Sequence, residues 1–222
     1  MYPLKRLTIL CGHYGSGKTN VAVNVATELK KTRDTVTVAD LDIVNPYFRT
    51  KDSAAYFEEQ GIRLICSAYA NSNVDIPALP QEMYALTDDR SMTAVLDIGG
   101  DDRGALVLGR LAPKILAEND YEMLMVINCY RPLTRDAAST LEVMAEIEYA
   151  GGIRFTGLVN NSNLGAVTTA EDILASRDYA EEVARLSGLP IVMTSVRQDL
   201  YPAVEGKVPH AFPLGLQKNK YL

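Results

Sequence analysis

Cysteine and histidine are scarce in this sequence. Its 222 residues hold three cysteines, Cys11, Cys66 and Cys129, and two histidines, His13 and His210. The cysteines are odd in number and scattered, and no histidine is paired with one. A disulfide framework and a zinc site are therefore disfavoured, and reduced thiols in a cytoplasmic protein are expected. Long apolar runs are missing as well. Even Met123-Leu124-Met125-Val126-Ile127 falls far short of the roughly 20 residues that span a bilayer. The opening Met1-Tyr2-Pro3-Leu4-Lys5-Arg6 carries charge but no apolar stretch of adequate length, so no signal peptide is read. Nor is there an excess of positive charge. Twenty-two basic side chains against 28 acidic ones leave a net charge of −6, which gives no bulk attraction for nucleic acid. What is present is an ordinary globular composition, 47% hydrophobic and 23% charged. It excludes disorder as the main state and suffices for one domain with a core, but not for two.

Short apolar segments recur along the chain. They are Leu7–Cys11, Thr35–Ala39, Ile62–Cys66, Ala94–Leu96, Met123–Ile127, Phe155–Val159 and Pro190–Met193. Several are apolar almost throughout, as strands buried on both faces of a parallel sheet are. Helical spacing lies between them. Val21, Val25 and Leu29 share one face, and Ala137, Leu141, Met144 and Ile147 share another. Thr134 is an expected N-cap, Thr168 with Glu171 an expected capping box, and Gly151-Gly152 and Gly188 expected helix ends. Strand and helix alternate throughout. The expected class is α/β, a single domain over 1–222 with a mostly parallel sheet of about seven strands and helices on both faces. Segment 67–81 reads as an irregular surface excursion. The tail after Pro209 reads as irregular too.

The strongest motif is Gly12-His13-Tyr14-Gly15-Ser16-Gly17-Lys18-Thr19, a match to G-x-x-x-x-G-K-[ST] between a strand and an amphipathic helix. Gly15 and Gly17 let the backbone turn its N–H groups around phosphate oxygens. The following helix start adds aligned donors. Lys18 brings a point charge to the β- and γ-phosphates, and the Thr19 hydroxyl suits Mg²⁺. The expected phosphate-binding set is Gly12, Gly15, Ser16, Gly17, Lys18, Thr19 and Asn20. His13 and Tyr14 read first as loop fillers, with contact to a partner or to the nucleotide as the second reading.

A phosphate loop needs carboxylates at neighbouring strand ends, close to the metal and the attacking water. Asp40-Leu41-Asp42 and Asp97-Ile98-Gly99-Gly100-Asp101-Asp102 supply them. Asp97 stands where a carboxylate reaches Mg²⁺ or, on the other reading, caps the next helix. Asp40 and Asp42 are site residues or part of a solvated turn. Asp101 and Asp102 suit a helix cap equally well. Gly99-Gly100 gives the next segment the freedom of a switch that responds to γ-phosphate.

In these elements the chain resembles the ParA/MinD group of P-loop ATPases, which includes the nitrogenase iron protein. The likeness extends to Ile43-Val44-Asn45-Pro46, Gly157-Leu158-Val159-Asn160-Asn161-Ser162 and Thr194-Ser195-Val196-Arg197-Gln198-Asp199. It implies a Mg²⁺-dependent ATPase that acts as a switch for a protein partner, as an ATP-dependent homodimer. Asp42 would orient the attacking water, Asp97 would stand behind the metal's bound waters, and Asp101 would be a second candidate for the water. Asn161 would face adenine, whose N6 and N7 match an amide's acceptor and donor. Guanine would want a carboxylate, which Asn160–Asn163 does not supply. His13 stands where many members carry a signature lysine, leaving Arg49 and Arg103 as speculative replacements. Asn45-Pro46-Tyr47-Phe48-Arg49 occupies the place of a first switch, as a docking surface or as core packing. An ATP-dependent small-molecule ligase or kinase is the alternative, with 67–81 lining its acceptor pocket.

Overall fold

The computed structural model describes residues 2–42, 50–66, 81–100 and 102–216, apart from the side chains of Lys51, Gln81, Asp102 and Arg103. Asp101, Arg49, the Asn45–Arg49 segment and most of 67–81 lie outside the described residues, as does the side chain of Arg103.

Among the described residues, eight strands form one sheet: β1 (Leu7–Cys11), β2 (Val36–Leu41), β3 (Arg63–Cys66), β4 (Thr93–Ile98), β5 (Tyr121–Ile127), β6 (Gly157–Asn160), β7 (Ile191–Arg197) and β8 (Ala211–Leu214). Their order across the sheet is β3-β2-β4-β1-β5-β6-β7-β8, and every pairing is parallel. Among the described residues, seven α-helices connect or follow them: α1 (Lys18–Lys30), α2 (Ala54–Glu59), α3 (Gln81–Asp88), α4 (Asp102–Glu118), α5 (Ala137–Gly151), α6 (Ala170–Ser187) and α7 (Tyr201–Val204).

The two-residue period of the strands divides the core. Leu7, Ile9 and Cys11 of β1 pack with Met123, Met125 and Ile127 of β5 on the face covered by α3, α4, α5 and α6. Leu10, Val36, Val38, Val95, Leu124 and Val126 point the other way, onto Val21, Ala22 and Val25 of α1 and Phe57 of α2. Each large side chain so buried contributes roughly 1.5–3 kcal/mol. The same alternation sets the polar residues. Asp40 follows Val36 and Val38 in phase, and Asp97 follows Val95. Both carboxylates therefore lie on the α1 face.

The eighth strand corrects the expected count. β8 lies in the tail read as irregular, and Phe212 and Leu214 are buried there. It is short, at the sheet edge, and contains Pro213 opposite Val196; a proline without an N–H is tolerated at an edge but hides the strand signal. Two caps also shift. Thr134 is buried, with its hydroxyl donating to Asn128 O at 2.8 Å, so Asp136 caps α5 by accepting from Ser139 N. Thr168 uses its hydroxyl on Gly165 O at 2.7 Å, and the capping box of α6 is Thr169 with Asp172. Gly152 and Gly188 end α5 and α6 in the left-handed region. Cys11 is buried, Cys66 and Cys129 are half-buried, and none of the three forms a disulfide.

Candidate nucleotide site

β1 lies between β4 and β5, and the loop at its carboxyl end runs straight into α1. This is where an open parallel sheet forms its crevice. Gly17 precedes α1 with φ 85°, and a Cβ there would come within 2.3 Å of Asn161 Nδ2. Only glycine satisfies both the dihedral and the space. From the first turn of α1, Lys18 and Thr19 point inward and are buried.

Carboxylates from two strands meet Lys18. Lys18 Nζ donates to Asp42 Oδ2 at 2.7 Å, with both side chains about 5% exposed or less. Asp40 and Asp97 are direct neighbours across β2 and β4, and the Asp42 amide donates to Asp40 Oδ1 at 3.2 Å. Asp40 is 0% and Asp42 2% exposed, which removes the reading of a solvated turn. Asp97 lies within β4, five residues before α4, which removes the reading of a helix cap.

Burial pushes the Asp97 carboxyl up to about 6; the Lys18 charge opposes this and the Asp40 charge adds to it. Burial also works against the Lys18 ammonium, yet Asp97 and Asp42 outweigh it and hold the lysine above its ordinary value. Burial drives the Cys11 thiol upward, leaving it neutral. Asp97 Oδ2 accepts from Thr50 Oγ1 at 2.6 Å. Its Oδ1 and the Ser16 hydroxyl are buried without a hydrogen-bond partner among the described residues. Buried polar atoms left in that state mark a place for a ligand, ion or water.

These residues fit Mg²⁺. No cluster of three or more His, Cys, Asp or Glu side chains suited to a metal occurs among the described residues. Mg²⁺ does not need one, because it is held through one or two protein oxygens, phosphate and water. Thr19 would be the direct protein ligand and Asp97 would act behind it.

Two further segments abut the loop. Gly100 packs so tightly that a Cβ would lie 2.4 Å from Gly12 O and 2.7 Å from Tyr14 N, so only glycine allows this approach. Asn161 Nδ2 donates to Ser16 O at 2.6 Å, and Ser195 Oγ donates to Asn161 Oδ1. One amide hydrogen and one lone pair of Asn161 remain for other partners. Asn161, Asn163, Gly17, Asn20 and Arg197 line a cleft of about 90 Å³ beside the loop. His13 Nδ1 donates to Tyr14 O at 3.0 Å, and Tyr14 is 57% exposed.

No protein-family model matches the chain, and no curated protein matches it. Solved structures do. FtsY from Thermotoga maritima, described as a cell division protein, superposes with a TM-score of 0.55 at 18% identity, over 85% of this chain and 60% of that one. Chloroplast FtsY from Physcomitrella patens gives a TM-score of 0.56 at 16% identity, over 83% and 56%. The signal recognition particle receptor FtsY from Elizabethkingia anophelis, solved with GDP, gives 0.50 at 13%, over 83% and 55%. The fold is shared with FtsY. The chain spans less than two thirds of each of these FtsY chains. At such identities the likeness is one of fold, a P-loop NTPase fold. It supports that fold and not the ParA/MinD group in particular.

Sequence reasoning missed Thr50, Asn128 and Arg131, and gave Ser195 no role beyond its place in the Thr194–Asp199 stretch. Thr50 and Arg131 belong to no motif. Ser195 and Asn128 act by fixing other loops, which a linear pattern does not register.

Proposed function

We propose that this protein binds and hydrolyses a magnesium nucleoside triphosphate, ATP, and serves as a nucleotide-dependent switch for a protein partner. The observation that carries this reading is the buried Lys18–Asp42 pair at the foot of a glycine-shaped loop, beside Asp97 with its unpartnered oxygen. An incoming triphosphate competes with Asp42 for the lysine. Lys18 then turns to the β- and γ-oxygens, and Asp42 is released to accept a hydrogen bond from water. That water attacks the γ-phosphorus, the bond to the β–γ bridging oxygen breaks, and the water proton passes to Asp42. Asp101 is a second candidate for that acceptor. Bound magnesium would neutralise charge developing on the phosphate oxygens. The protein's part is positioning and charge stabilisation.

Adenine is favoured by the start of the loop after β6, Asn161-Ser162-Asn163, which offers amides and a hydroxyl but no carboxylate. Guanine presents adjacent N1 and N2 donors that call for a carboxylate. Of the carboxylates that follow, Asp172 is held in the capping box of α6, and Asp199 is engaged by Arg197 Nε at 2.6 Å. GTP is the second reading, because one structural neighbour was solved with GDP.

The switch rests on two contacts. Thr50, at the end of the segment after Asp42, is tied to Asp97, and Gly100 rests on the loop itself. ATP-dependent homodimerisation and a cytoplasmic location go with this reading, and no described helix is long and apolar enough to cross a membrane. Phosphate release and calorimetric titration of MgATP and MgGTP test it. MgATP binds wild type and Lys18→Ala loses it; if wild type binds neither nucleotide at millimolar concentration, the reading is wrong. Sedimentation with and without ATP tests the dimer, and a monomer in both conditions removes it.

A further inference from the structure

Arg131 has no part in the mechanism above, yet it bonds directly to the phosphate loop. It follows β5 in a turn organised by Asn128, a fully buried side chain. Asn128 O accepts from Arg131 N at 3.1 Å and Thr134 Oγ1 at 2.8 Å. Asn128 Oδ1 accepts from Tyr130 N at 3.0 Å and Asn163 N at 3.3 Å. Asn128 Nδ2 donates to Asn163 O at 3.3 Å. One side chain therefore fixes both the Arg131 turn and the loop after β6.

From this turn the guanidinium reaches the phosphate loop. Arg131 Nε donates to Gly15 O at 2.8 Å, and the guanidinium carbon lies 3.8 Å from where a Cβ on Gly15 would be. Gly15 is exposed, at the rim of the loop. Neither Nη group of Arg131 is hydrogen-bonded among the described residues. A loop that turns its N–H groups inward turns carbonyls outward, and those carbonyls need partners of their own. A charged donor is a strong partner, and the planar fork of arginine holds it in a fixed direction. Lys18 is buried and bonded to Asp42, so Arg131 is a second cation on the loop, at its accessible side.

We propose that Arg131 is a positioning residue for the triphosphate: it clamps the Gly15 carbonyl from outside, ties the loop to the Asn128 turn, and places positive charge at the rim where the outer phosphates enter. This rests on the nucleotide reading above.

The test is titration of wild type, Arg131→Gln and Arg131→Lys with magnesium ATP, ADP and adenosine, with a GTP arm in parallel and melting curves without nucleotide. Arg131→Gln is expected to weaken the triphosphate about tenfold, the scale of one charge-assisted hydrogen bond, and to weaken the diphosphate less. Arg131→Lys restores part of the loss, because it returns charge without the fork. Melting temperatures stay within about two degrees, as for surface substitutions. Triphosphate affinity within twofold of wild type in Arg131→Gln overturns the proposal. So does an equal loss for all three ligands, which marks a purely structural turn. A wild type that binds no nucleotide overturns the underlying reading too, and the first titration shows it before any variant is made.

Discussion

Two buried ion pairs lie at opposite ends of the same sheet. At the amino end, Arg6 pairs with Glu118, both under 10% exposed. Its Nε and Nη2 both reach Glu118, and Nη1 donates to the carbonyls of Leu86, Asp89 and Met92. Every nitrogen of that guanidinium is used. At the carboxyl end, Lys18 and Asp42 are equally buried, but Asp40 and Asp97 crowd them and two polar atoms nearby have no partner among the described residues. The first pair satisfies itself and holds the chain together. The second has chemistry left over, which is how a ligand site differs from a structural staple.

Breaking each pair should separate the roles. Arg6→Ala leaves Glu118 buried and uncompensated and strips three carbonyls of a donor. It should cost about 3–5 kcal/mol of stability, read from urea unfolding, with nucleotide affinity of the folded protein unchanged. Altered affinity would show that the two ends are coupled. Lys18→Gln, by contrast, should weaken triphosphate binding by about ten- to a hundredfold, the range of a charge-assisted bond, while calorimetry shows the protein still folded. Affinity within twofold of wild type would mean that Lys18 is a second staple.

The same contrast governs what could be read from the sequence. The phosphate loop, the alternating elements and the strand-end acids were legible because each obeys a local rule: a spacing, a period or a neighbour. Arg6 was not, since its partners lie 80 to 112 residues away. β8 was hidden by Pro213, and Thr134 and Thr168 were miscast as caps because nearby carbonyls took their hydroxyls. Asn161 was expected to face a base, but nothing local told that its amide also holds Ser16 and meets Ser195. Asp40, Asp42 and Asp97 resolved from open alternatives into one buried cluster only through register, which parallel pairing sets and sequence does not print.

Asp97 sharpens the comparison through pH. Its carboxyl titrates near 6 in the folded protein against an ordinary 3.8. Between those values the folded chain keeps a proton that the unfolded chain has released. Stability of the nucleotide-free protein therefore falls as pH rises from about 4 to 6, and the ionised carboxylate costs about 3 kcal/mol by pH 7. Asp97→Asn should remove that loss. Its advantage over wild type, measured by urea unfolding, should be near zero at pH 4 and about 2–3 kcal/mol at pH 7. A difference that does not change with pH would rule out this origin. The same variant should weaken the Mg²⁺ dependence of triphosphate binding.

The smallest expected effect comes from Thr50, whose hydroxyl donates to Asp97 Oδ2 at 2.6 Å. Thr50→Val keeps the shape and deletes the bond. At pH 7 it should cost about 1–2 kcal/mol, since an ionised oxygen loses its donor. At pH 4 the carboxyl is neutral, and the cost should shrink to under about 1 kcal/mol. Combined with Asp97→Asn, the two effects should fall short of additivity, because contacting residues share one interaction. Full additivity in that double-mutant cycle would mean that Thr50 stabilises its segment independently of the carboxylate, and the tie between the segment after Asp42 and the site would have to be sought elsewhere.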